Sequence, residues 1–149
     1  PMYNGYILQA KINATKVKHK HVVNFISSGW MKCSGGASYL AMKNNPVSVG
    51  KFPCTWVMAD MHRWVTVLQY HFQLDGYLNP YNTSLHKSWG VSMSTSAVCG
   101  ANGAPKNWGP NDSRGVTCLS LKGNLAQVTS NIGDEAGNIK YLRNTIVLE

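Results

Sequence analysis

The first 59 residues contain no aspartate or glutamate, although they carry seven lysines. All six acids lie at or beyond Asp60: Asp60, Asp75, Asp112, Asp134, Glu135 and Glu149. Charge of either sign is scarce, at 13 % of residues, about half the usual share. Ser, Asn, Thr and Gly supply the polarity instead, a balance more typical of secreted proteins and filament subunits than of cytosolic enzymes. The sequence holds no apolar run of about 20 residues, the length a membrane-spanning helix needs. It has no C-x-x-C pair, no H-E-x-x-H, no G-x-S-x-G and no glycine-rich phosphate loop, so the common metal, nucleophile and nucleotide signatures are missing. The six acids are scattered and form no carboxylate pair along the sequence. These absences argue against an enzyme and against a resident cofactor or metal.

What is present begins at the N-terminus. Tyr3, Ile7, Ala10, Ala14, Val17, His21 and Phe25 recur at alternating spacings of four and three, which places them on one face of an α-helix. Lys11, Lys16, Lys18 and Lys20 are expected on the remaining surface as a basic patch. The net charge of +8 belongs to this part, because residues 60–149 carry seven Lys or Arg against six acids. A basic helix attracts nucleic acid, anionic lipid or the acidic flank of another subunit. Pro1 suits a first helical turn and also reads as a cut point in a longer chain.

A length of 149 residues with 44 % hydrophobic content is enough for one domain with its own core. The sequence divides into an N-terminal helix (1–30), a connecting region with a second helix (31–88), and a sheet with a Cys-bounded loop (89–149). The helix is expected to fail at Ser27-Ser28-Gly29 or at Gly35-Gly36. Residues 33–59 read as an irregular connection, punctuated by Asn44-Asn45-Pro46, Gly50 and Pro53. Asp60 is a candidate N-cap for the second helix, whose apolar face is Met61, Trp64, Val65, Leu68 and Phe72. Alternation predicts a strand over Trp89–Ala97. Val116–Leu121 and Leu125–Ser130 form a hairpin about Lys122-Gly123-Asn124, and Ile139–Leu148 is the last strand. The fold class is therefore α+β, a long N-terminal helix packed on an antiparallel sheet of about four strands.

Cys33, Cys54, Cys99 and Cys118 make an even count, which suits two disulfides in an oxidising compartment. Of the three connectivities, Cys33–Cys54 with Cys99–Cys118 is favoured, since each bond closes a loop rich in Gly, Pro and Asn. His19 and His21 point apart on a helix and cannot share a metal. The turn Gly133–Asn138 offers Asp134, Glu135 and Asn138 as oxygen ligands, without the spacing of an EF-hand.

The opening PMYNGYILQAKINATKVKHKHVVNFISSGWMKC, the NPYN followed by Thr-Ser, and the ending NIGDEAGNIKYLRNTIVLE resemble a type IV pilin over the whole chain. The resemblance implies a subunit of an extracellular pilus filament that serves adhesion, motility or DNA uptake. Before assembly it would be anchored in the inner membrane by an apolar segment ahead of Pro1. Its partners would be other copies, packed through Tyr3, Tyr6, Ile7, Ala10, Ala14 and Val17, and the inner-membrane pilus assembly machinery; no small-molecule substrate is implied. The basic surface would meet Asp134 and Glu135 of neighbours, DNA or an anionic surface. A secretion pseudopilin, a nucleic-acid-binding minor pilin and a free secreted binding domain are the alternatives.

Overall fold

A computed structural model describes residues 2–45, 48–81, 91–93 and 114–149. Helix α1 runs Met2–Ser34, past the Ser27-Ser28-Gly29 break and up to the glycine pair. Its end is a Schellman motif. The N–H of Ala37 donates to the Lys32 carbonyl and that of Gly36 to Cys33, with Gly36 at φ 97°. A left-handed residue is needed there, and glycine reaches that region without steric cost.

The connection after α1 is not irregular. It forms strands β1, Tyr39–Asn45, and β2, Ser48–Pro53, paired antiparallel with Tyr39 opposite Pro53. Leu40, Met42 and Phe52 turn inward. A short helix α2, Cys54–Ala59, follows, and then α3, Met61–Leu74. Helix α3 confirms the second helix, and its Trp64, Leu68 and Phe72 are fully buried. The N–H of Trp64 donates to the Asp60 carbonyl, which places Asp60 at the entry to α3.

The second sheet has the order β3-β4-β5-β6, made of Val91–Met93, Thr117–Lys122, Leu125–Asn131 and Tyr141–Val147. The β4–β5 hairpin closes through Gly123-Asn124, with Gly123 at φ 60°, as a two-residue turn requires. Strands β4, β5 and β6 are antiparallel, but β3 runs parallel to β4, so the sheet is mixed. Of the strand expected over Trp89–Ala97, only residues 91–93 are among those described.

One apolar core joins α1, the β1–β2 hairpin, α2, α3 and the second sheet through Val22, Ile26, Trp30, Trp64, Phe72 and Val128. Cys33 and Cys54 are bonded, with their Cα atoms 5.1 Å apart. The bond ties the end of α1 to the start of α2 across the hairpin. Cys118 is also disulfide-bonded; Cys99, its expected partner, lies outside the described residues. Replacing Cys33 and Cys54 together by alanine should lower stability by about 3 kcal/mol, the chain-entropy value for a loop of this size. Urea denaturation of the two proteins checks this. A loss below about 1 kcal/mol would show that the strands alone hold the loop.

Candidate functional site

Helix α1 has two faces, and each contains surprises. The inward face is Ile12, Thr15, His19, Val22, Ile26, Trp30 and Cys33, all buried. The stripe of Tyr3, Ile7, Ala10, Ala14, Val17 and His21 lies on the other side, exposed to solvent, with Tyr6 beside it. Phe25 alone of that stripe is partly covered, stacked 4.5 Å from the His71 ring. Packing against the sheet starts at Ile12, so the first turns of the helix carry their aromatic residues outward. Tyr3 and Tyr6 are 75 % and 73 % exposed.

The expected basic patch is only partly at the surface. Lys16 and Lys20 are exposed, and Lys11 is half-buried with its ammonium 6.0 Å from the centre of the Tyr81 ring. Lys18 is not a surface residue. It points under the helix, and its Nζ donates to the carbonyl of Gly115. Burial drops its pKa from 10.5 to about 7. A lysine next to buried positions reads as solvated from sequence alone, because charged residues are almost never fully buried. Lys43 is likewise engaged, paired with Asp75 at 3.3 Å.

Beside Lys18 lies a chain of polar side chains that sequence reasoning did not find. His19 Nδ1 is 2.7 Å from Ser130 Oγ, and His19 Nε2 is 2.8 Å from Asn144 Oδ1. Ser130 Oγ lies 2.6 Å from Thr117 Oγ1. With Asn144 presenting its oxygen, Nε2 carries the proton, Nδ1 accepts from Ser130, and Ser130 accepts from Thr117. Burial lowers the His19 pKa, opposed by the Asn144 bond and helped by Lys18, so the ring is neutral at pH 7. Hydroxyl, imidazole and amide in line would suit a nucleophile and base. Here Ser130 and Thr117 are fully buried, out of reach of a substrate, and the chain instead joins α1 to β4, β5 and β6. His71 is also buried, and its Nδ1 accepts from the Lys43 N–H at 2.8 Å.

Depressions lie on both flanks of α1. A cleft of about 520 Å³ separates it from the turn after β5, and Lys16 and Lys140 share it with Asp134 and Glu135. Lys16 on the basic helix thus faces those acids across the cleft within its own chain. Asp134 Oδ1 accepts from the N–H groups of Ala136 and Asn138 at 2.9 and 2.7 Å, and Oδ2 accepts from Asn138 Nδ2. The bonds from Asn138 hold this carboxyl below the usual range. The carboxylate is spent on closing its own turn, and the described residues contain no group of three or more His, Cys, Asp or Glu placed to share a metal. A groove of about 630 Å³ on the other flank is lined by Ala14, Val17 and His21 together with Tyr77, Leu78 and Pro80. It is continuous with the exposed stripe. No family model, no curated protein and no solved structure matches this chain. What α1 offers is an exposed, largely apolar face on a helix whose opposite face is fixed to the sheet. None of the described helices is long and apolar enough to cross a membrane.

Proposed function

We propose that this chain is a non-enzymatic filament subunit, type IV pilin-like, that polymerises through the outward face of α1. The observation that carries the reading is the exposure of Tyr3, Tyr6, Ile7 and Val17 on a 33-residue helix. Such a helix is about 50 Å long, and its inner face begins to bury only at Ile12. Ala10 and Ala14 lie between these residues, where small side chains let another helix approach closely. Contacts of one such face with a different surface of the next copy build helical polymers when the rotation between copies does not close a ring. The Cys33–Cys54 bond suits an extracellular filament, and the sequence resemblance supports the same reading. The engagement of Lys18 and Lys43 weakens the nucleic-acid alternative.

The test is Ala10→Glu or Ala14→Glu in the full-length protein. Both positions are exposed in the isolated chain, so the soluble form should keep its circular dichroism. In a polymer each carboxylate would be buried unpaired, at roughly several kcal/mol per subunit, and filaments should disappear. Normal filaments from both variants would overturn the reading. The gene upstream of Pro1 gives a second check: a short basic leader ending in Gly, followed by an apolar run with one Glu, supports a pilin. An ordinary secretion signal there favours a free secreted domain.

A further inference from the structure

Among the described residues, strand β6 is the last strand of its sheet, and the direction of its backbone groups can be read from the ladder. The Ile132 N–H donates to the Lys140 carbonyl, and the Leu148 N–H donates to the Asn124 carbonyl. Both pairs fall in the same register as Leu125 opposite Val147. In an antiparallel pair, bonded and non-bonded positions alternate. The even-numbered residues from Lys140 to Leu148 therefore face β5 with their N–H and C=O groups. Arg143, Thr145 and Val147 direct theirs away from the sheet. The β4–β5 ladder agrees: the Asn131 N–H donates to Val116, so the odd residues of β5 serve β4 and the even ones serve β6.

Among the described residues, the edge from Arg143 to Val147 carries little of the usual protection. The strand sequence YLRNTIV has no proline or glycine and one charge. Arg143, Asn144, Thr145 and Val147 are exposed. Native edges of this length are normally blunted by charge, proline or a bulge, because they are templates for another strand.

We propose that β6 pairs antiparallel with β6 of a second copy, about a twofold axis at Thr145. The outward groups of Thr145 then bond to those of Thr145 of the second copy, and Arg143 stands opposite Val147. This register places Arg143 diagonally across from Glu149 of the second copy, twice by symmetry, within the reach of long side chains on neighbouring strands. Moving the axis two residues toward the N-terminus would set Arg143 against Arg143, a destabilising like-charge pair. The helices leave room for the joined sheet. Helix α1 lies over β5, and three strand spacings separate β5 from its counterpart, about 14 Å, more than the roughly 10 Å that packed helices need. The pairing does not depend on the filament reading.

The test is sedimentation of the 149-residue chain in a concentration series. The expected result is a dimer of twice 16.4 kDa in equilibrium with monomer. Thr145→Pro should give monomer only with unchanged circular dichroism, because that N–H makes no bond to β5 and proline is tolerated on an outward edge. Thr145→Cys should cross-link to itself on mild oxidation, which tests the register even if the proline variant fails to fold. Arg143→Glu should weaken the dimer at least tenfold, and adding Glu149→Arg should restore it. A monomer at all concentrations, a dimer indifferent to Thr145→Pro, or no cross-link at position 145 would overturn the proposal.

Discussion

Lys18→Met should stabilise the protein at pH 7 and destabilise it at pH 10. The lysine is 6 % exposed under α1, and its pKa falls from 10.5 to about 7 by burial. In the unfolded chain the amine holds its proton up to pH 10.5; in the folded chain it gives it up near 7. The unfolded state therefore binds the extra proton between these values, and stability rises with pH across the window at up to about 1.4 kcal/mol per unit. At pH 7 the wild type bears a cost of about 4 kcal/mol for this group. Methionine removes that cost but leaves the Gly115 carbonyl without its Lys18 donor, worth roughly 1–3 kcal/mol. The net gain at pH 7 is about 1–3 kcal/mol, in line with replacements of other buried charges by apolar residues. Near pH 10 the wild-type amine is already neutral in the folded state, and the lost hydrogen bond decides the sign. Above that, the raised pKa values of Tyr77 and Tyr81 withdraw stability as the unfolded phenols ionise first. Denaturant midpoints of both proteins at pH 7 and pH 10 should cross. Parallel pH profiles would show that Lys18 reaches water.

Trp64→Ala should cost roughly 3–5 kcal/mol, the range for truncating a buried large aromatic. Trp64 is completely buried and lies 6.3 Å from Trp30, ring centre to ring centre. Its partner surface is shaped to it. A Cβ added at Gly29 would stand 3.2 Å from both Trp64 Cζ2 and Leu40 Cδ1, so α1 approaches this ring through a residue with no side chain. The cavity would open where α1, β1 and α3 meet, with little chance of collapse because the disulfide fixes the end of α1. Against a typical total of about 5–15 kcal/mol, such a loss brings the fold close to its limit. Trp64→Phe should cost less than half as much, since the indole N–H has no partner in the structure and its removal relieves a buried polar group. Urea denaturation of both variants measures this; a loss below about 1 kcal/mol for alanine would mean that the site repacks.

Much of the fold was legible where local chemistry was strong. The first helix ran four residues past its expected end at 30, to the second of its two expected stops at Gly35-Gly36; Gly123 turned the hairpin, and period 3.6 over Trp64, Leu68 and Phe72 won against the β-branched Val65 and Val67. The β1–β2 hairpin was missed because Asn44, Asn45 and Pro46 read as loop punctuation, while the alternation of Leu40 and Met42 with Ala41 and Lys43 was the overlooked signal. The parallel pairing of β3 left no mark, since strand direction depends on contacts distant in sequence. In α1 two stripes of similar period compete. The inward one contains Thr15, Lys18 and His19, which look like surface residues, so the exposed one with tyrosines and alanines stood out instead. The surface proposed for assembly was thus visible, and its polar counterpart was hidden by the types of its residues.

The polar groups under α1 have a mechanical meaning. Apolar contacts are non-directional and let a helix slide along a sheet with small loss. His19 with Ser130 and Asn144, the Trp30 indole donating to the Glu149 carbonyl at 3.0 Å, and the Cys33–Cys54 bond all have fixed geometry. A pull along the helix axis therefore loads them together in shear. A slip of one turn would strand each polar atom at once, so tension applied at the N-terminal half passes into the sheet as into a pinned joint rather than a greased one.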